Sequence, residues 1–298
     1  MPNGITEGDA VLLVAHGTVS RIEDIPAFLS RIRGGRPVSD LLVAEVRRRY
    51  QLIGKSPLLD VTRAQAAALE QRLGIPVLVG MRLWDPSLED ALEEAARRGI
   101  RRMVMIALAP FSVHVYWQAL LRARDTVFGD GRVPPTLLRV EPWGTQAQFV
   151  RAHADLIAKH VPADVPLVLT AHSLPTLAIR NGDPYFTQVS ESAAAIAGAL
   201  GRDYDLAFQS QGADGGDWLG PDLNTVLAEL REEGATDVAL APFGFLAEHV
   251  ETLYDLDVEA KELAESLGLS LIRVPAIGLA EGLIDALEKL AQDALSAG

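Results

Sequence analysis

Residues 13–18 read Leu-Val-Ala-His-Gly-Thr, and residues 169–174 read Leu-Thr-Ala-His-Ser-Leu. Each word closes a short apolar run and ends in a turn. A second pair follows in the same order. Ala-Leu-Ala-Pro-Phe at 107–111 precedes His114-Val115, and Ala-Leu-Ala-Pro-Phe at 239–243 precedes His249-Val250. The offsets are 156 residues (169 against 13) and 132 residues (239 against 107). Two words repeated in the same order divide the chain into two similar halves.

Working outward, apolar runs recur at 10–15, 77–83, 103–109, 137–140, 167–171, 206–209, 238–242 and 271–274. Amphipathic stretches lie between them, among them 62–73, 87–98, 146–160, 186–200, 223–233 and 280–295. Short, unalternated, β-branched runs fit strands covered on both faces. Alternation with helices implies parallel sheets built from βαβ units, so the fold class is α/β. The halves are expected at 1–145 and 146–298, joined near 143–146. Each would present a His and a Pro-Phe corner at the carboxyl edge of its sheet, where open α/β sheets bind ligands. A cleft between two such edges is the expected site.

Composition narrows the partners. The 298 residues are 49% hydrophobic and 22% charged, enough to bury a sizeable core. Against 27 Lys and Arg stand 40 Asp and Glu, a net charge of −13. That sign repels nucleic acid and anionic lipid. With no cysteine, disulfides, thiolate nucleophiles, iron–sulfur clusters and Cys-ligated zinc are all excluded. The opening Met-Pro-Asn-Gly-Ile-Thr-Glu is no secretory signal, and the longest apolar runs, such as 238–247, are about half a membrane span. A cytoplasmic chain, monomeric rather than obligately oligomeric, is expected.

Some motifs fail. Gly54-Lys55-Ser56 ends like a phosphate-binding loop, but Arg49 stands where the earlier glycine belongs and Pro57 follows. No Gly-x-Gly-x-x-Gly follows a strand, and there is no Gly-x-Ser-x-Gly elbow. Other residues carry chemistry. His172 closes a strand at the ligand edge, echoed by His16; neutral imidazole accepts protons near pH 7 and ligates borderline divalent metals. Glu251, Asp255 and Glu259, at i, i+4 and i+8, would line one helix face, a row suited to Fe²⁺. Phe111, Tyr116, Trp117, Trp218, Phe243 and Phe245 gather at the expected cleft; core packing explains some of them, and a flat conjugated ligand would explain their concentration. Arg31, Arg33 and Arg36, in one Gly-rich segment, suit that ligand's carboxylates, though a surface loop accounts for them as well.

Three segments then carry a resemblance. They are Thr170-Ala171-His172-Ser173-Leu174-Pro175 with Gly182-Asp183-Pro184-Tyr185; Gln209-Ser210 through Trp218-Leu219-Gly220-Pro221-Asp222; and Gly244-Phe245 through His249-Val250-Glu251-Thr252-Leu253-Tyr254-Asp255-Leu256-Asp257. Together they resemble ferrochelatases, and the match runs in order from Val11 to the last strand. The resemblance implies two Rossmann-like halves and insertion of Fe²⁺ into a porphyrin during heme synthesis. Porphyrin and ferrous iron would be substrates, with no prosthetic group. It implies His172 and Glu251 as the metal-handling and proton-accepting pair, and Asp255 and Glu259 as the acidic line along which the metal moves. Arg33, Arg49, Tyr50, Ser56 and Tyr116 match tetrapyrrole-contacting positions of the coproporphyrin III-using type. Ala15-His16-Gly17-Thr18 is similar to that type's Ala-Tyr-Gly-Thr, with His16 in place of tyrosine as a further tetrapyrrole contact. Gln211 replaces a usual glutamate and Phe208 a usual tryptophan. His16 is also similar to the opening of sirohydrochlorin chelatases. A Co²⁺ or Fe²⁺ chelatase for another tetrapyrrole, or a non-catalytic heme or metal carrier, are the alternatives.

Overall fold

Each of the eight apolar runs forms a strand. In the computed structural model, which describes residues 5–129, 131–212 and 216–297, these are β1 (Asp9–Ala15), β2 (Val77–Met81), β3 (Arg102–Ala107), β4 (Thr136–Arg139), β5 (Leu167–His172), β6 (Asp205–Gln209), β7 (Asp237–Ala241) and β8 (Ser270–Arg273). The first residues of the chain, and 213–215 within one of the matched segments, lie outside the described residues.

The strands form two four-stranded parallel sheets, ordered β2-β1-β3-β4 and β6-β5-β7-β8. The order is the same in both, which is the structural form of the repeat. Leu13 pairs with Val79 on one side and Ile106 on the other; Leu169 pairs with Leu206 and Ala241. β1 and β5 are therefore central strands, flanked by helices. Ala10 through Val14 and Leu167 through Leu169 are at most 1% exposed, which explains why these strands read as unbroken apolar runs. Between β1 and β3, and again between β5 and β7, the chain switches direction across its sheet. The carboxyl ends of those strands are the ligand-binding edge of such a fold.

Contacts divide the described chain into two units, 5–143 with 284–297, and 144–283. The last stretch, 284–297, thus groups with the first unit, where the repeat alone placed it in the second half. The reason is local. Arg72 pairs with Asp285 and, at 3.4 Å, with Glu288, and Arg102 donates to the Leu295 carbonyl at 3.4 Å. Leu287 and Ala291 are fully buried. A repeat locates equivalent strands but says nothing of where a terminal helix docks. No helix among the described residues is long and apolar enough to cross a membrane.

Candidate functional site

The second unit gathers its titratable side chains at the carboxyl edge of its sheet. His172 is the last residue of β5 and is held by its backbone. Tyr185 Oη donates to its carbonyl at 2.8 Å, and the next residue, Ser173, donates from N to Gln209 O at 2.7 Å and from Oγ to Leu219 O at 2.8 Å. The imidazole is left partly exposed, facing the start of the helix Val250–Tyr254.

That helix begins at His249, whose extended backbone caps it. His249 N donates to Thr252 Oγ1 at 3.0 Å, and Thr252 is fully buried, so the cap is anchored in the core. Glu251 Oε2 then lies 3.1 Å from His172 Nδ1 and 3.6 Å from His249 Nε2. The shorter contact is an ion-pair approach rather than an aligned hydrogen bond, since His172 Nδ1 has no hydrogen-bond partner among the described residues. Gln209 Nε2 donates to the Glu251 carbonyl at 3.1 Å, fixing the backbone from β6. Phe245 packs between the imidazoles, 4.8 Å from His249 and edge-on at 6.5 Å to His172.

One carboxylate between two imidazoles pushes them apart in proton affinity. Burial lowers the pKa of His172, but the charge and contact of Glu251 and the charge of Asp255 outweigh it, so His172 titrates above the usual imidazole range. Burial dominates at His249, helped by neighbouring His172, and against Glu251 and Glu248 its pKa falls below that range. His172 is thus a strengthened proton acceptor beside an imidazole that stays neutral.

The expected row of carboxylates is not a straight helix face. After Tyr254 the chain widens into a π-helical stretch, Asp255–Ala260, before the α-helix Lys261–Leu267. Leu256, Ala260 and Ala264 enter the core cluster that includes Val168, Val238 and Leu240. Asp255 is buried and accepts from Ser210 Oγ, whereas Glu259 is carried outward and exposed. Ser210 has a left-handed backbone (φ 64°), a conformation that costs a non-glycine residue about 1 kcal/mol or more. Among the described residues, no three His, Asp or Glu side chains form a set able to hold a metal ion. His172, Glu251, Asp255 and Glu259 therefore make no closed cage.

In the first unit, the turn after β1 is strapped by Arg82 N to Ala15 O at 2.8 Å and Leu83 N to His16 O at 2.9 Å. Gly17 has φ 103°, and a Cβ there would stand 2.9 Å from Trp84 N, so only glycine fits this corner. Tyr50 is buried, its Oη 2.9 Å from Thr18 Oγ1. Ser56 is buried with no hydrogen-bond partner for Oγ among the described residues, and Arg33 Nε is likewise buried without one among them. Arg49 pairs with Glu45 at 2.9 Å, and Arg48 and Arg49 together hold the Glu45 carboxyl down at about 2. Arg82 lies over the Tyr116 ring at 5.8 Å. Of the six aromatics, Phe111 and Phe243 are buried at 4% and 0% exposure and are among those that core packing explains. Pro-Phe corners at strand ends turn their rings inward because that is where apolar volume is needed.

Sequence reasoning missed His249 as a site residue. The signal was there, since His249 sits in the repeated word and two residues before Glu251. Only the fold shows that the same carboxylate reaches both imidazoles.

The family model described as Ferrochelatase matches residues 8–295. A ferrochelatase of Acidobacterium capsulatum is 35% identical over 316 residues, covering 97% of this chain and 95% of the relative. A coproporphyrin III ferrochelatase of Listeria monocytogenes is 35% identical over 292 residues, covering 91% and 93%. Among solved structures, the sirohydrochlorin chelatase SirB of Bacillus subtilis subspecies spizizenii, in complex with cobalt, superposes with a TM-score of 0.60 at 15% identity. That match covers 97% of this chain and 96% of the other, and it concerns the fold. Two like-ordered sheets, a His–Glu–His group on the edge of the second, and sequence similarity along the whole length agree: the chain belongs to the ferrochelatase family.

Proposed function

We propose that this chain is a lyase inserting Fe²⁺ into a porphyrin, coproporphyrin III in preference to protoporphyrin IX, as a step of heme synthesis in the cytoplasm. One observation carries the reading: Glu251 Oε2 shared between His172 at 3.1 Å and His249 at 3.6 Å. Metallation replaces two pyrrole N–H protons by one dication, so a catalyst must receive two protons where the metal enters. His172 takes the first, its affinity raised by Glu251 and Asp255. Glu251 holds the resulting imidazolium, positions the incoming ion and passes the second proton outward. His249 stays neutral and so can offer a lone pair to the metal. Buried Asp255, tied to Ser210, marks the inner end of the metal's path, and exposed Glu259 its outer end.

The unsatisfied Ser56 Oγ and Arg33 Nε, with Arg49, Tyr50 and Tyr116, supply the hydrogen-bonding and aromatic surface for the tetrapyrrole. His16, in the turn after β1, would add a further contact. The working form is a single chain. The test is anaerobic Fe²⁺ insertion with coproporphyrin III, protoporphyrin IX and sirohydrochlorin side by side. The reading expects the highest kcat/KM with coproporphyrin III. Insertion confined to sirohydrochlorin would overturn it.

A further inference from the structure

We infer that Arg273 is a positioning residue for Glu251, clamping both ends of the short helix that carries it; the inference rests on the function proposed above. Arg273 is the last residue of β8, and its side chain is only 16% exposed. Its Nη2 donates to Glu248 Oε2 at 2.9 Å, and its Nε lies 2.9 Å from Asp257 Oδ1 in an ion-pair contact that is not an aligned hydrogen bond. Nη1 donates to the Val274 carbonyl. The other oxygen of Glu248 accepts from Ala276 N at 2.7 Å. Glu248 immediately precedes the capping residue His249, and Asp257 lies in the π-helical stretch beyond Tyr254. One guanidinium therefore holds a carboxylate on each side of the five-residue helix Val250–Tyr254.

A helix that short has no stability of its own and takes its place from what surrounds it. Thr252, Tyr254 and Leu256 are buried and keep the segment docked. Burial of apolar surface is non-directional, however, and tolerates small slides and rotations. The Glu248 arm does not, because a planar guanidinium donates to it along a fixed direction and its other oxygen is held by Ala276 N, while the Asp257 arm adds charge attraction from the far side. Glu251 needs that precision, since its Oε2 must serve two imidazoles at once. A displacement of about 1 Å at a reacting group can cost on the order of a hundredfold in rate. Paired with Glu248 and Asp257, Arg273 acts through the placement of Glu251.

The test compares the full-length wild type with Arg273→Gln and Arg273→Lys in anaerobic Fe²⁺ insertion into coproporphyrin III, together with hydrogen exchange. Arg273→Gln should lower kcat about ten- to a hundredfold, with the porphyrin KM changed less than about twofold. Arg273→Lys, which restores charge without the fork, should recover part of the loss. Exchange should quicken within 248–260 and nowhere else. A kcat for Arg273→Gln within about twofold of wild type would overturn the inference, as would loss of protection throughout 144–283. If Arg273→Gln does not fold, Glu248→Gln and Asp257→Asn read the two arms separately. Each should lower kcat severalfold at unchanged KM, and wild-type rates in both would overturn the clamp. A wild type that forms no metalloporphyrin overturns the functional reading instead, and the exchange comparison then decides the clamp alone.

Discussion

Replacing Glu251 by Gln keeps the size and shape of the side chain and removes its charge. At 3.1 Å from His172 Nδ1, a unit charge is worth about 1 kcal/mol at the dielectric of water and about 5 kcal/mol at an effective value of 20. Both side chains are 33% exposed, which moves the figure toward the lower end. Two effects follow. Without the carboxylate, burial is opposed by the charge of Asp255 and no longer by that of Glu251, so the titration of His172 should move down from its raised position. Loss of the charge that holds the imidazolium and carries protons away should lower kcat by at least about a hundredfold, the lower range for a lost acid–base group. The linkage has a definite sign. A raised folded pKa gives stability that is fully present below the unfolded imidazole value and is lost as pH rises through the folded one. The stability difference between wild type and Glu251→Gln should therefore be larger at pH 6 than at pH 8. Nuclear magnetic resonance titration of the imidazole, single-turnover Fe²⁺ insertion and urea unfolding at the two pH values check the three consequences. A variant with unchanged insertion rate and an unmoved His172 titration would reduce Glu251 to part of a solvated helix face.

His172→Ala should abolish insertion while circular dichroism and Tm stay near wild type, because the ring is partly exposed at a strand end and the backbone does the holding; near-wild-type turnover would remove His172 from the site. His153, 2% exposed against Phe149 with no hydrogen-bond partner for Nε2 among the described residues, is pushed by burial from 6.5 down to about 3. The unfolded chain then binds a proton that the folded chain refuses, so stability present above pH 6.5 falls with pH, by about 2 kcal/mol at pH 5. His153→Leu should flatten the pH dependence of the urea midpoint between pH 7 and 5, and parallel curves for the two proteins would refute the assignment. His16→Tyr exchanges a neutral imidazole for a phenol that must lose a proton of pKa about 10 to bind iron. It should alter the absorption spectrum of the heme product complex, and an unmoved spectrum would mean that His16 only braces its own turn.

The fold was legible because buried parallel strands leave no choice of pattern. With both faces covered, β1, β3, β5 and β7 read as continuous apolar runs, and their ends fall within a residue or two of the expected ones. The repeat was legible because equivalent strand ends meet equivalent packing demands. The site was legible only as an inventory. His172 and Glu251 stood out, but their approach depends on β5 and the helix Val250–Tyr254 meeting across residues 79 apart in sequence (251 against 172). The spacing of Glu251, Asp255 and Glu259 assumes an unbroken α-helix, and nothing in it announces the π-helical stretch that sends Glu259 outward. That stretch is set by Leu256 and Ala260 seeking the core, a tertiary demand. Which of the aromatics belong to the core was hidden for the same reason, since one at a corner can face either way until the neighbouring layer is known, and Phe111 and Phe243 turn inward.

The central claim is that this chain turns over, releasing metalloporphyrin rather than merely binding its parts. The most direct measurement is anaerobic incubation of a trace of protein with excess coproporphyrin III and Fe²⁺, followed spectroscopically until product formation stops. Wild type should form many equivalents of iron coproporphyrin per chain, and His172→Ala should form none. Product that stops at one equivalent per chain, or that forms equally well with the variant, would contradict it.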